Sequence, residues 1–377
     1  MTHCTPQLNL ILDTLEADAS LGSSGMFRCA DFFAGSGLAT AALSHFFETV
    51  WANDICPRKQ AVFSSNHAHK PFLLGSIEHV HGNSIPQHDL SWASFPCQDL
   101  SLAGNMSGIR SARSGMVWEW LRVLDETRVK PSIVVAENVK GLLSSRGGEN
   151  YLFLHEALKE RGYAVGAVLL DAVHWLPQSR PRIFVIGVRN HINLRAFTTN
   201  GPGWAQPNVV QSVAKKAADW QWWKLPQPTA RTLTLEDVID MHHPFDDEKT
   251  VRHHLSLISD KHWKKINEAI KQGKYIFPGY KRTRAGKQVL EVRTDGIAGC
   301  LRTASGGSSR QQLLIYKDGT FGTRLLTISE AARLMGAPSG YQIPGSYNQG
   351  YQAMGDAIAV PAVSYLAKHL LHPLLAQ

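Results

Sequence analysis

Short apolar runs alternate with amphipathic stretches from Phe27 to Arg189. Arg28–Phe33 predicts a first strand, followed by a helix through Leu38–Phe47. Thr49–Asn53 reads as a second strand and Pro57–Asn66 as a helix opened by its proline. Further strands are expected at Leu90–Phe95 and Ile133–Ala136, with helices at Gly115–Thr127 and Tyr151–Arg161. Ala164–Leu170 and Arg182–Val188 read as a closing pair of strands. Strands alternating with helices predict an α/β fold on a doubly wound, mostly parallel sheet. Near Asn190 the texture changes. Gly201-Pro202-Gly203 and Pro226-Gln227-Pro228 are breakers, and Lys and His become dense. Regularity returns at Thr327–Met335 and in the long apolar stretch Gly355–Leu371. The expected organisation is one domain begun by residues 1–190, interrupted by a smaller domain over 191–325, and completed by 326–377.

Composition narrows this picture. The chain has 377 residues, 44% of them hydrophobic, enough for a sizeable core. No uninterrupted apolar run approaches the ~20 residues that cross a bilayer, so no membrane partner is expected. Met1–Gly25 has no basic start leading into an apolar stretch, and no signal peptide is read there. The five cysteines, Cys4, Cys29, Cys56, Cys97 and Cys300, form no C-x-x-C pair. That spacing suits neither a disulfide framework nor a zinc site, and it fits a reducing cytoplasm. His242-His243 and His253-His254 lack ligand spacing and read as surface residues, so no metal is expected. Trp220, Trp222 and Trp223 read as packing. The net charge is +8, and residues 191–325 hold 21 Lys and Arg against 12 Asp and Glu. The rest of the chain is nearly balanced. The insert therefore carries the whole positive excess, either as a solvated surface or as a surface for phosphates.

The candidate chemistry sits at the ends of the expected strands. Phe33-Ala34-Gly35-Ser36-Gly37 follows the first strand and opens a helix. Its glycines allow backbone to approach a ligand, although a plain tight turn would read the same way. Asp54 ends the second strand, where an acid accepts hydrogen bonds from ribose hydroxyls or caps the next helix. Pro96-Cys97-Gln98 places a thiol on a stiff turn after an apolar run. A buried cysteine is usually a small hydrophobe, but this position favours an exposed nucleophile. Glu137-Asn138-Val139 ends another apolar run. A nucleophile and an acid at two such strand ends suit attack on an electron-poor ring carbon while the ring nitrogen is held. Gln178-Ser179-Arg180-Pro181-Arg182 puts two guanidiniums before a strand, either as a plain surface fork or spaced on one side of an extended segment to grip a carbonyl oxygen and a phosphate.

In this order, these segments resemble the cytosine-C5 DNA methyltransferase family. Asp31–Gly37 is similar to its first motif, Phe95–Gln98 to its nucleophile motif, Glu137–Val139 to its acid motif and Gln178–Arg182 to its paired arginines. Arg302-Thr303-Ala304-Ser305-Gly306-Gly307, Leu326–Gly336 and Gly355-Asp356-Ala357-Ile358-Ala359-Val360-Pro361 resemble the later segments. The resemblance implies that Cys97 adds to C6 of a cytosine flipped from duplex DNA. Glu137 would hold N3 and the amino group, Arg182 would bind O2 with Arg180 beside it, and Asn138 would frame the site. Gln98 and Ser101 would lie on a loop closing over the DNA, with Arg180 and Arg182 also touching it. S-adenosyl-L-methionine would be the methyl donor, held by Phe33, Gly35, Ser36, Gly37, Asp54, Ile55, Ser76, Ile77, Pro96, Asp356 and Ile358. Three positions depart from the family pattern: Ser76 stands where many members have an acid, Asp356 where Asn is usual, and Ile55 where some have an aromatic. The resemblance implies a sequence-specific enzyme of bacterial or phage type, a cytoplasmic monomer with double-stranded DNA as partner and room for a cognate restriction endonuclease. The alternative on the same fold is an RNA (tRNA) cytosine methyltransferase. The long basic insert favours duplex DNA, because readout of base edges needs an element of its own.

Overall fold

The computed structural model describes residues 26–96, 115–302 and 310–377. By contacts the chain divides into two compact units. One takes in the described residues up to Asp171, Pro181–Pro228 and Ala362–Gln377. The other takes in Ala172–Arg180 and Thr229–Pro361. The boundary expected at 190/191 thus separates segments by their chemistry, whereas the chain exchanges between compact units at other points.

The first unit holds a seven-stranded sheet in the order β3-β2-β1-β4-β5-β7-β6. Its strands are β1 Phe27–Phe32, β2 Phe47–Asp54, β3 Phe72–Leu74, β4 Leu90–Ala93, β5 Ile133–Val139, β6 Tyr163–Asp171 and β7 Pro181–Arg189. β1 to β5 pair in parallel, and β7 runs antiparallel to both β5 and β6. The central strands are buried on both faces, which explains their continuous Ile, Val and Ala runs. Helices α1 Leu38–Leu43, α2 Pro57–Asn66, α3 Met116–Glu126 and α4 Glu149–Glu160 connect the strands. α3 buries Val117, Trp120, Leu121, Val123 and Leu124, the stripe that its 3.6-residue period requires. The Trp120 indole donates to the Ser91 hydroxyl of β4 at 3.0 Å, fixing the helix rotation over the sheet.

The doubly wound expectation holds, with local corrections. α1 stops at Leu43 because Phe47 is needed as the first residue of β2, buried and paired with Phe27. β3 has only three residues on the sheet edge, too few to stand out as an apolar run. β5 continues through Glu137 and Asn138 because β7 pairs with it as far as Val139. Trp223 is buried, and Trp220 stacks on His155 at 5.6 Å, so both pack as expected.

The second unit carries a sheet that the breaker-rich texture did not announce. After the two-residue ladder β8 Thr198–Thr199 and β9 Trp222–Trp223, which belongs to the first unit, four strands form the antiparallel order β11-β10-β12-β13. They are β10 Ile276–Arg284, β11 Lys287–Val292, β12 Gln312–Lys317 and β13 Thr320–Leu325. Helices α5 Glu248–Ser256 and α6 Asp260–Lys271 belong to the same unit. Ile266 and Ala269 of α6 share a core with Phe277, Leu290 and Leu314. His254 corrects the reading of the histidines as surface residues: it is buried, with its ring against the Thr323 hydroxyl at 2.8 Å. The helical run Tyr347–Leu375 is long and apolar enough to cross a bilayer by length and composition, yet 72% of its apolar window is buried inside the protein.

One buried ion pair organises this unit. The Glu330 carboxylate accepts from Arg324 at 2.6 and 2.8 Å and from the amides of Asp240 and Thr327 at 2.8 Å. It also closes a capping box with Thr327 at the start of helix α7 Ile328–Leu334. Burial alone would raise its pKa, but Arg324 and the amides hold it below the usual carboxylate range. That contribution is complete above pH ~4.3 and fades as pH falls through the lowered value. Glu330→Gln should destabilise the unit by about 3–5 kcal/mol, because Arg324 is left buried without its counter-charge. Urea unfolding of wild type and variant at neutral pH measures this, and a loss under about 1 kcal/mol would contradict it.

Candidate active site

Sheet register gathers the candidate residues. Leu73, Asn53, Phe32, Ala93 and Ala136 lie in one row across β3, β2, β1, β4 and β5. Each parallel strand ends at or just past that row. Phe33, Asp54, Ser94 and Glu137 are the next residues of their strands, so four candidate segments emerge along the carboxyl edge. The strand order reverses between β1 and β4, the position where open α/β sheets hold ligands.

The first segment is a turn with unusual backbone. Phe33, Gly35 and Gly37 all have positive φ, at 57°, 58° and 84°. At Gly37 the need for glycine is double. A Cβ there would fall 2.7 Å from the His67 ring, whose Nε2 donates to the Gly37 carbonyl at 3.0 Å. Beneath the turn, Asp31 is fully buried. Its Oδ2 accepts from the Thr40 hydroxyl at 2.7 Å, and its Oδ1 has no hydrogen-bond partner. Ser36 is buried as well.

Asp54 is tied to the same turn. Its two carboxylate oxygens accept from the amides of Gly35 at 3.0 Å and Cys56 at 2.8 Å. Each oxygen keeps a lone pair for another donor. Ile55 follows, 69% exposed, a large apolar side chain in solvent. Ser76 precedes a short 3₁₀ turn, Ile77–His79, and Ile77 is buried. The Ser76 hydroxyl donates to the Glu78 carboxylate at 2.9 Å. Glu78 escaped the sequence reading, which looked for an acid just before Ile77; the carboxylate stands just after it. The row therefore offers glycine backbone at Gly35 with no neighbour closer than 3.8 Å to a Cβ position, an acid with spare lone pairs, exposed apolar surface and a hydroxyl–carboxylate pair. That donor set fits a nucleoside carrying a cationic sulfur.

β4 and β5 supply the other half. The Asn138 amide, buried, donates to the Phe95 carbonyl at 2.9 Å. It thereby fixes the chain where it leaves β4 toward exposed Pro96. Cys97, Gln98 and Ser101 lie outside the described residues, as do Thr303–Gly307 of the later segment. Glu137 faces Phe184 across the β5–β7 ladder, which puts Arg182 diagonally opposite on the same face. Arg182 Nε meets Glu137 Oε1 at 3.1 Å, and Glu137 is 8% exposed.

Arg180 has a different environment. The paired arginines were expected side by side at the substrate, but the two belong to different compact units. Arg180 is 1% exposed, and its guanidinium donates to the carbonyls of Leu301 at 3.1 Å, Gly355 at 2.8 Å and Ala357. These bonds tie it to the main chain around Gly355–Ala357. In the second unit, Ile358 is buried and Asp356 is exposed at the end of helix α8 Tyr347–Asp356.

Comparison with known proteins decides the class. Residues 27–372 match the model of the C-5 cytosine-specific DNA methylase family. The chain belongs to this family. It is 28% identical to the type II methyltransferase M.HhaI of Haemophilus parahaemolyticus over 349 residues, 91% of this chain and 94% of that one. It is 25% identical to the type II methyltransferase M.Bsp6I of Bacillus sp. (strain RFL6) over 93% of this chain and all of that one. Among solved structures, the Dnmt2 methyltransferase of S. pombe shares the fold at a TM-score of 0.59 with 20% identity, covering 92% of this chain and 99% of that one. This cytosine-C5 methylase is therefore an enzyme of the DNA (cytosine-5-)-methyltransferase class, and its family and fold imply an S-adenosylmethionine-type methyl donor.

Asp31 makes this methylase's stability depend on pH. Burial, opposed by the Thr40 hydrogen bond and reinforced by nearby Asp54, pushes its pKa up to about 7. The folded state then keeps a proton that the unfolded chain loses near pH 4, so this group's contribution declines as pH rises from about 4 to about 7. Asp31→Asn should gain stability relative to wild type when unfolding is measured at pH 8 rather than pH 5. An unchanged difference between the two pH values contradicts a raised Asp31 pKa.

Proposed function

We propose that this chain is a sequence-specific methyltransferase that acts on a cytosine turned out of duplex DNA and uses S-adenosyl-L-methionine. The observation that carries the reading is the Glu137–Arg182 pair at the carboxyl edge, beside a strand end that Asn138 fixes two residues before Cys97. Family membership supports it. A bacterial or phage setting, a cytoplasmic monomer and a companion endonuclease complete the reading, by analogy with the type II relatives.

Each residue then has a stated task. Phe33, Gly35, Ser36, Gly37, Asp54, Ile55, Ser76, Ile77 and Pro96 hold the donor, with Asp356 and Ile358 from the later segment. The donor supplies a methyl group on a positively charged sulfur. The Cys97 thiolate forms a bond to C6, and electron density moves toward C5. Glu137 holds N3 and the amino group, and Arg182 binds O2, so the ring accepts that density. Once C5 is methylated, its proton leaves, the C5–C6 double bond re-forms and Cys97 departs. Asn138 frames the site, while Gln98 and Ser101 close over the DNA. Residues 191–325 serve as the target-recognition domain. Arg282, Arg284 and Lys287 on the β10–β11 hairpin and the exposed Lys261, Lys264 and Lys265 of α6 supply charge for phosphates.

Duplex DNA containing 5-fluorocytosine should trap a covalent complex with wild type, because fluorine does not leave as a proton does. Cys97→Ser should neither trap it nor transfer methyl groups, while still binding DNA. Turnover retained by Cys97→Ser rejects the nucleophile, and methylation of tRNA without DNA replaces the substrate. Raising salt from about 50 to 200 mM should weaken DNA binding by orders of magnitude. A flat salt response removes the basic segment from the interface.

A further inference from the structure

The turn that follows β3 has little of its own to hold it. β3 is three residues long, and Leu73 and Leu74 are exposed. Ile77 and Val80 are buried in the main core of their unit, but the main chain between Ser76 and Gly82 forms only short 3₁₀ turns. Its start is anchored by Asn53 of β2, whose side-chain amide donates to the carbonyls of Leu73 at 2.8 Å and Gly75 at 2.9 Å, and the stretch beyond is held by α3. Arg122 Nη2 donates to the carbonyls of Ile77 at 3.1 Å, Val80 at 3.0 Å and Glu78 at 3.5 Å. Two carboxylates of the same helix hold the guanidinium from behind: Nε meets Glu119 at 2.7 Å and Nη1 meets Glu126 at 2.6 Å. Glu126 also accepts from the Gly82 amide at 2.8 Å. At Gly82 the turn lies so close to the helix that a Cβ would fall 2.1 Å from the Val123 carbonyl. One planar guanidinium thus ties three carbonyls of this turn to α3, with all three nitrogens engaged.

We propose that Arg122 is a positioning residue for the nucleoside end of the methyl donor. It sets the turn from which Ser76, Ile77 and Glu78 present a hydroxyl, an apolar wall and a carboxylate. This rests on the reading that those residues hold the donor. A hydroxyl–carboxylate pair recognises an exocyclic amine only when it stands at hydrogen-bonding distance and angle. The Glu78 carboxylate is set by the Ser76–Glu78 backbone, the stretch next to the carbonyls on Arg122. Lysine is no substitute. A single ammonium is a point charge and cannot span carbonyls on one edge and two carboxylates on the others.

The test uses the full chain, calorimetric titration with S-adenosylhomocysteine, and the same ligand with its adenine deaminated to hypoxanthine. Wild type should prefer the adenine form, because the carboxylate accepts from an amine that the deaminated ligand lacks. Arg122→Met and Arg122→Lys should each weaken S-adenosylhomocysteine by about tenfold, equivalent to one misplaced hydrogen bond, and narrow the preference by a similar factor. The donor KM should rise more than kcat falls. Unchanged affinity overturns the proposal. So does an equal loss for both ligands, which marks Arg122 as a general support of the fold, and so does a wild type that binds the two ligands alike. Failure of wild type to bind S-adenosylhomocysteine at all rejects the donor reading itself. Should both Arg122 variants fail to fold, Glu126→Gln, which loosens Arg122 and the Gly82 anchor together, is read by the same two ligands.

Discussion

A strand buried on both faces admits an ionisable side chain along its length only at a cost, as Asp31 of β1 shows by its raised pKa. In the seven-stranded sheet this constraint drives polar chemistry to the strand ends, since β1, β4 and β5 pass through packed hydrocarbon over most of their residues. Parallel pairing then brings those ends level. Phe33, Asp54, Ser94 and Glu137 come from segments far apart in sequence, and register alone sets them side by side. Everything proposed about donor and base depends on that alignment. A one-residue slip of β4 or β5 would turn their side chains to the opposite face and scatter the site.

Around this edge the protein spends buried polar groups on holding main chain. Asn138 grips the Phe95 carbonyl, Asp54 grips two amides of the turns beside it, and Arg122 grips carbonyls beyond β3. Arg180 does the same in the second unit, and Glu330 collects two amides with its arginine. These contacts share a logic. Irregular backbone near a ligand site lacks ladder or helix partners, and a buried amide or carbonyl left unmet costs about 1–3 kcal/mol. Side chains of Asn, Asp, Glu and Arg fill the gap and fix direction as well. The Glu137–Arg182 pair is different in kind, since it joins two side chains across adjacent strands and leaves the acid at the rim of the sheet.

Much of this was legible in the chain. The apolar runs at Leu90–Phe95 and Ile133–Ala136 marked strands, Pro57 marked the start of a helix that does run to Asn66, and breakers marked the change near Asn190. The motif residues were found because glycine, cysteine, acid and arginine at strand ends are readable one at a time. Less legible were short or edge elements such as β3, whose three residues carry no period, and the strands of the second sheet, whose basic outer positions masked their alternation. Glu78 was passed over because only a hydrogen bond to Ser76 distinguishes it from any exposed acid. The burial of Arg180 was not legible, because a buried arginine and a solvent-facing one look alike in sequence.

Sequence alone determined the class of fold and the inventory of reactive groups, because burial periodicity and strand-end chemistry are local properties of a chain. It also identified the family, through motifs whose order survives at about a quarter identity. Tertiary structure decided which groups meet. Arg182 reaches Glu137 through strand register, Arg180 turns to main-chain carbonyls within its own unit, and Arg122 from a distant helix holds carbonyls of the turn at Ile77. Such pairings join residues about 40 or more positions apart, and no local pattern encodes them. They follow from packing, which assigns each buried donor the acceptor that happens to lie within about 3 Å of it.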